Sequence, residues 1–64
     1  MTRKVSINGT KLELSKSEEK EVARLGLFKG TDRQRQFDTW YKGAPTPEAK
    51  TRRWNVGIAL GLSV

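Results

Sequence analysis

The last dozen residues, 53–64 (RWNVGIALGLSV), contain the densest run of apolar side chains in the chain. Read with a period of two, the large apolar side chains fall on one face and the small or polar residues on the other, which is typical of a strand. The apolar positions are Trp54, Val56, Ile58, Leu60, Leu62 and Val64. From this alternation we favour a short helix from Pro47 to about Arg53, followed by a third strand.

The same segment also carries the signals of one longer helix. Thr46, Pro47 and Glu48 form a strong helix start, because threonine can cap, proline suits the first helical position, and glutamate suits the first turn. Gly61 stands where such a helix could close with a left-handed glycine. A continuous helix is therefore the alternative to the strand.

The clearest local pattern lies in residues 4–14 (KVSINGTKLEL), where two alternating segments flank Asn8 and Gly9. An Asn-Gly pair in this setting predicts a two-residue type I′ hairpin, because both turn positions need positive φ. In that register Ile7 lies opposite Thr10. One face is then apolar, formed by Val5, Ile7, Leu12 and Leu14. An isolated hairpin is unstable in water, so this face needs a helix or a third strand to cover it.

A first helix is predicted directly after the hairpin. Ser15 and Glu18 have the spacing of a capping box, and glutamates occupy the first turn, where the helix dipole favours them. We expect this helix to run to Arg24 or Leu25, with Gly26 as its end.

A second helix is predicted over residues 33–42, with Thr31 or Asp32 as its cap and Gly43 as its end. At 100° per residue its aromatic side chains share one side, and a basic face lies opposite. The aromatic residues are Phe37, Trp40 and Tyr41. Asp38 lies within helical reach of Arg35 and Lys42, which would partly neutralise the basic face.

These elements predict an α+β fold for residues 1–64, which we treat as a single small domain. It comprises an N-terminal β-hairpin and two to three short helices, with the C-terminal segment as a candidate third strand. A chain of 64 residues buries only about 60% of its unfolded surface, so assembly into a homo-oligomer would add stability.

The amino-acid composition limits the catalytic and metal-binding chemistry that the side chains can perform. The chain has no Cys and no His, so it offers no disulfide, no thiol or imidazole for catalysis, and no such ligand for zinc. We expect neither an enzyme nor a metal or other cofactor. No apolar segment approaches the roughly 20 residues of a membrane helix, and no signal peptide is evident, so we expect a soluble, cytoplasmic protein without membrane contact.

The net charge and its distribution along the chain indicate a class of partner. Thirteen Lys and Arg against seven Asp and Glu give a net charge of +6. The chain is basic over residues 1–12, slightly acidic over 13–24, and basic again over 25–64. A small basic domain is attracted to polyanions through counterion release.

The candidate binding residues are basic or amide side chains in the second half of the chain. They are Arg33, Gln34, Arg35, Gln36, Lys42, Lys50, Arg52 and Arg53. Arginine binds phosphate or guanine edges, and glutamine can pair with adenine. This set therefore indicates a nucleic-acid interface, with DNA favoured over RNA.

Two short strings, residues 40–47 (WYKGAPTP) and 58–63 (IALGLS), resemble the second half of small helix-turn-helix regulators of the phage Cro and repressor class. The resemblance implies a recognition helix ending in tryptophan and glycine, and a following helix that begins at proline and closes on leucine and glycine. It would place residues 33–36 on the groove-facing helix. Lys42, Lys50 and Arg52 would then contact the DNA backbone.

Two functions follow as hypotheses. The first is a small nucleic-acid-binding regulator of phage or plasmid type. The alternative is a protein-binding inhibitor or adaptor that docks its hairpin edge, or an exposed aromatic patch, on a larger acidic partner.

Overall fold

The computed structural model describes residues 1–63, so Val64 and any role for it in a strand lie outside the described residues. The elements, in chain order, are β1 (Thr2–Ile7), β2 (Thr10–Ser15), α1 (Lys16–Leu25), α2 (Thr31–Lys42) and α3 (Pro47–Ala59). The predicted α+β class with an N-terminal hairpin is confirmed, and three helices follow the hairpin.

The hairpin has the predicted register. Ile7 pairs with Thr10 in an antiparallel ladder that extends to Thr2 and Ser15. Asn8 and Gly9 both have positive φ, 49° and 84°, as a type I′ turn requires.

Helix α1 begins with the predicted capping box. The Glu18 N–H donates to Ser15 Oγ at 3.3 Å, and the Ser15 N–H donates to Glu18 Oε1 at 2.7 Å. The helix ends at Leu25 with Gly26 in the C-cap position. Both ends of α1 are therefore confirmed.

Helix α2 ends as predicted, but its start differs. Gly43 follows Lys42, and its N–H donates to the Thr39 carbonyl at 3.1 Å. Thr31, one of the two expected caps, is instead the first helical residue; Gly30 holds the N-cap position, and no side chain caps the helix. The cap prediction was wrong because Gly30 makes the turn into the helix one residue earlier.

The third strand is not observed in residues 1–63, and the favoured interpretation of the C-terminal segment was wrong. Helix α3 starts at Pro47, with the Ala49 N–H donating to Thr46 Oγ1 at 3.1 Å, and continues to Ala59. Gly61, at φ 76°, closes it. The Leu62 N–H donates to the Gly57 carbonyl at 2.8 Å and the Gly61 N–H to the Ile58 carbonyl at 3.0 Å, which is the Schellman arrangement.

The helices α1 and α3 both pack on β2, so two helices cover the hairpin where a third strand was expected. The centre of this packing is a cluster of Ile7, Leu14 and Val56. Leu25 and Phe37 are also fully buried. Among residues 1–63 no helix is both long enough and apolar enough to cross a bilayer.

Candidate nucleic-acid interface

The structure divides the eight candidate residues into side chains bound within the protein and side chains that face solvent. Arg33 belongs to the first group. Its Nε donates to the carbonyls of Leu25, at 3.2 Å, and Phe28, at 3.0 Å. These carbonyls lie at and just after the end of α1, and that of Leu25 also accepts from the Phe28 N–H at 3.2 Å. Arg33 therefore fixes the end of α1 to α2.

Arg52 is bound to a buried carboxylate. Its Nε donates to both oxygens of Glu18, at 3.0 and 3.1 Å, and Glu18 is only 3% exposed. Burial by itself would raise the pKa of the Glu18 carboxyl. Hydrogen bonds from Ser15 and Arg52, together with the charge of Arg52, outweigh burial, so the pKa is lowered. Arg52 thus joins α3 to the start of α1.

Arg53 packs on Trp40. Its guanidinium carbon lies 4.7 Å from the centroid of the indole ring, and Nη1 donates to the Trp40 carbonyl at 2.6 Å. Such a stacked cation stabilises the contact between α2 and α3. The Arg53 guanidinium is therefore engaged mainly by Trp40, within the protein.

The two glutamines also make contacts within the protein. Gln34 Nε2 donates to the Ser63 carbonyl at 2.7 Å, and its Oε1 accepts from the Ser63 N–H at 2.8 Å. This pair of bonds holds the segment after α3 against α2. Gln36 Oε1 accepts longer bonds of 3.4 Å from the guanidinium of Arg24. The Gln34 amide is therefore engaged at both its nitrogen and its oxygen, whereas only the oxygen of Gln36 is engaged.

Three of the predicted cations remain available. Arg35 and Lys42 are exposed on α2, seven residues apart on its outer side, and Lys50 is exposed on α3. The Lys50 ammonium lies 5.3 Å from the centroid of the Tyr41 ring, which brings it to the end of α2 that carries Lys42. We call Arg35, Lys42 and Lys50 the cationic strip.

Asp38 forms no ion pair with the cationic strip. Although helical spacing places it within reach of Arg35 and Lys42, it accepts a hydrogen bond of 2.9 Å from Gln34 Nε2. In the part of the chain that the structure describes, no carboxylate lies within ion-pair distance of a strip residue. The three cations of the strip are therefore not ion-paired within the described residues.

Each glutamate of α1 is ion-paired in the fold. All three ion pairs found within residues 1–63 end on glutamates of α1: Arg3 with Glu19, Arg24 with Glu21, and Arg52 with Glu18. The hydrogen bond from Arg3, together with its charge, lowers the pKa of the Glu19 carboxyl against the opposing effect of burial. Because arginines of β1, α1 and α3 pair with these glutamates, none of the three forms an ion pair with a cation of the strip.

Thr39 was not among the predicted site residues, although it lies between Arg35 and Lys42 on the same exposed side of α2. The helical spacing of 35, 39 and 42 was the signal that could have identified it. Its hydroxyl donates to the Arg35 carbonyl at 3.2 Å, so it contributes a small polar surface between the two cations.

The described residues contain no cluster of three acidic side chains that could hold a metal ion. Comparison of the chain with protein-family models, characterised proteins and solved structures finds no match. What the protein binds is therefore inferred from its own surface.

Proposed function

We propose that the protein binds nucleic acid through the cationic strip, as a small DNA-binding regulator of the phage or plasmid type. The observation that carries the proposal is that Arg35, Lys42 and Lys50 are exposed together without a carboxylate partner in residues 1–63. Unpaired exposed cations gain the most from phosphate contact, since no existing ion pair has to break.

The dimensions of the strip fit a phosphate backbone. Arg35 and Lys42 are seven residues apart in one helix, which is about 10 Å along its axis. That distance is larger than the roughly 3.4 Å of duplex axis per phosphate of one strand. The two cations would contact separate phosphates on one strand, and Lys50 would extend the contact from α3.

This contact mode differs from the one that the sequence favoured. Phosphate contacts fix position but carry no sequence information. With Arg33 and Gln34 bound within the protein, the proposed affinity comes from the backbone and is sensitive to salt. A role in regulation would then draw its specificity from further contacts, and the resemblance to the Cro and repressor class remains a hypothesis.

The test is fluorescence anisotropy with a labelled duplex of mixed sequence at low salt. The variant is Arg35→Glu with Lys42→Glu. The matched control is Lys11→Glu with Lys29→Glu, which removes two exposed cations of the hairpin and the α1–α2 loop and changes the net charge equally. We expect the strip variant to weaken binding at least about tenfold, and to lower the slope of log K against log salt by about 2.

Equal weakening in strip variant and control would contradict the proposal, since net charge alone would then explain binding. So would the absence of binding by the wild-type protein at micromolar concentration and low salt. A parallel titration with single-stranded DNA and with duplex RNA of the same sequence tests the preference for duplex DNA.

The protein-binding alternative keeps both of its surfaces. Helices α1 and α3 cover the apolar face of the hairpin, so docking would use the hairpin edge or the exposed pair Trp54 and Ile58 on α3.

A further inference from the structure

The outer edge of β1 presents backbone hydrogen-bonding groups without a partner strand. The sheet formed by the described residues has two strands, so each strand has one unpaired edge. In a hairpin closed by a two-residue turn, the residues that flank the turn exchange both ladder hydrogen bonds, and bonded pairs then alternate with unbonded ones. Ile7 and Thr10 flank the turn. The N–H and C=O groups of Thr2, Lys4 and Ser6 therefore point outward.

A hydrogen bond at the end of β2 supports this alternation. Ser15 pairs with Thr2 in the register, so its own N–H should also point away from the other strand. That N–H donates to Glu18 Oε1 at 2.7 Å, as expected of an outward group. The edge of β2 is therefore partly used by the start of α1, whereas the edge of β1 makes no backbone hydrogen bond outside the ladder within residues 1–63.

A groove of about 590 Å³ lies between the start of β1 and helix α1, and we call it the β1–α1 groove. It is lined by apolar and charged residues of both strands and of α1, among them Arg3, Leu14, Lys16, Glu19, Lys20 and Ala23. Arg3 lies on the face of β1 that is turned to α1, because its guanidinium donates to Glu19. A strand added outside β1 would therefore direct every second side chain towards this groove.

The charge around the β1–α1 groove is positive. Glu19 is the only acid among the described residues that line it, and Glu19 is ion-paired with Arg3. Lys16 and Lys20 form no ion pair within residues 1–63. Lys4 adds an exposed cation on the opposite face of β1. An acidic segment is therefore attracted to this edge.

The edge of β2 has a different charge. The groove beside it, of about 390 Å³, is lined in part by Glu13, Glu48 and Arg52. Arg52 is already bound to Glu18, so the carboxylates of Glu13 and Glu48 oppose an acidic segment there. The cations that flank the edge of β1 also oppose its pairing with the same edge of a second copy. Charge therefore selects both the edge and the kind of partner.

We infer that the edge of β1 and the β1–α1 groove bind an extended acidic segment of a protein partner, which adds a third strand to the sheet. Backbone hydrogen bonds provide affinity, and alternate apolar side chains enter the groove over Leu14 and Ala23. Carboxylates between the apolar positions lie near Lys4, and those at the ends of the segment reach Lys16 and Lys20. No residue of the cationic strip takes part, so this contact and the proposed nucleic-acid contact can each fail alone.

The first test is fluorescence anisotropy with a labelled peptide, acetyl-DEVELEVED-amide, at low salt. Its apolar side chains alternate with carboxylates, and an acid stands at each end on the apolar face. We expect a Kd of about 100 µM, because a short flexible peptide loses conformational entropy on binding. The peptide acetyl-KKVKLKVKK-amide has the same apolar pattern and the opposite charge, and it should bind at least about tenfold more weakly.

Protein variants locate the peptide. Lys16→Gln with Lys20→Gln should weaken binding of the acidic peptide about fivefold or more. The matched control is Lys11→Gln with Lys29→Gln, which removes two exposed lysines of β2 and the α1–α2 loop. It changes the net charge equally and should alter the affinity by less than about twofold. Circular dichroism establishes that both variants are folded.

Hydrogen exchange of the wild-type protein tests the backbone contact without any variant. The outward amides of Lys4 and Ser6 should exchange about tenfold more slowly when the peptide is present at about ten times its Kd. The amides of Lys11 and Glu13, which point outward on β2, are the internal control and should not change.

Methylated peptides test which edge of the added strand is used. N-methylation of one alternate set of peptide amides should abolish binding, while methylation of the other set should not, because only one edge of the added strand faces β1.

Four results would overturn the inference. They are no binding of the acidic peptide at millimolar concentration, equal binding of the acidic and basic peptides, unchanged exchange of Lys4 and Ser6 with the peptide bound, and equal effects of the two lysine variants. Slower exchange of these amides with rising protein concentration alone would assign the edge to a second copy. Slower exchange only with a DNA duplex would assign it to nucleic acid, and either outcome would reject the acidic segment as the occupant.

Discussion

Glu18 is the residue on which the most elements depend. It lies in the first turn of α1, accepts a hydrogen bond from Ser15 at the end of β2, and accepts two from Arg52 of α3. A carboxylate this deeply buried is tolerated only with its hydrogen bonds made. The three elements are therefore fixed to one another through a single side chain.

Removing Arg52, the ion-pair partner of Glu18, should lower the stability of the protein. Arg52→Met leaves the carboxylate buried with only its Ser15 contacts, and we expect the free energy of unfolding to fall by about 2 kcal/mol. Urea denaturation followed by tryptophan fluorescence measures the change. The control is Arg3→Met, which removes an ion pair whose arginine side chain is 76% exposed and should matter much less. Equal losses in the two variants would contradict this role of Glu18.

The lowered pKa of Glu18 predicts how stability depends on pH. Because its folded pKa lies below the ordinary value of 4.5, the ionised form stabilises the fold above that value. This contribution disappears as the pH falls through the folded pKa. Thermal melts at pH 6 and pH 3 should show a larger loss for the wild-type protein than for Glu18→Gln. A loss of the same size in Glu18→Gln would assign the acid sensitivity to other carboxylates.

Sequence patterns identified the cations but not their partners. Arg35 and Lys42 were predicted to be exposed because they lie opposite Phe37, and that placement is confirmed. Arg33 and Arg53 bind backbone carbonyls, and nothing in a side-chain pattern marks such acceptors. Arg52 binds Glu18 across 34 positions of sequence, a contact that exists only once the helices have packed.

At the scale of elements, the end of α3 depends on backbone conformation. Gly61 has φ of 76°, with open space where a Cβ would stand, so Gly61→Ala should destabilise through backbone strain alone, by about 1 kcal/mol. Gly43→Ala is the control, because Gly43 ends α2 at φ −84°. Chemical denaturation of the two variants gives the comparison. A larger loss from Gly43→Ala would show that crowding against the Thr39 carbonyl, 3.4 Å from an added Cβ, outweighs strain.

Apart from the cap of α2, elements with local signals were predicted correctly, and the failure of the predicted third strand has a physical cause. The Asn8-Gly9 turn, the capping box at Ser15 and the start at Pro47 each act through neighbours in sequence, and all are confirmed. The third strand was inferred by assuming that every large apolar side chain of the run is buried on one face. In α3 they point both ways, since Val56 is fully buried while Trp54 and Ile58 remain exposed.

At the scale of the whole molecule, the fold pairs some charged side chains and leaves others unpaired. Arg3, Arg24 and Arg52 form ion pairs with the glutamates of α1. The net positive charge of the protein is therefore carried by the other basic side chains. The proposed phosphate contact through these cations therefore weakens as salt rises.

The packing of Val56 against Ile7 and Leu14 has a consequence for biosynthesis. The hairpin emerges from the ribosome first, yet the residue that completes its packing is added more than forty positions later. A lone hairpin is only marginally stable. The apolar face of the hairpin therefore stays exposed in the nascent chain until α3 has left the exit tunnel. Translational pausing before α3 emerges would prolong the interval in which the nascent chain is vulnerable to proteases and to aggregation.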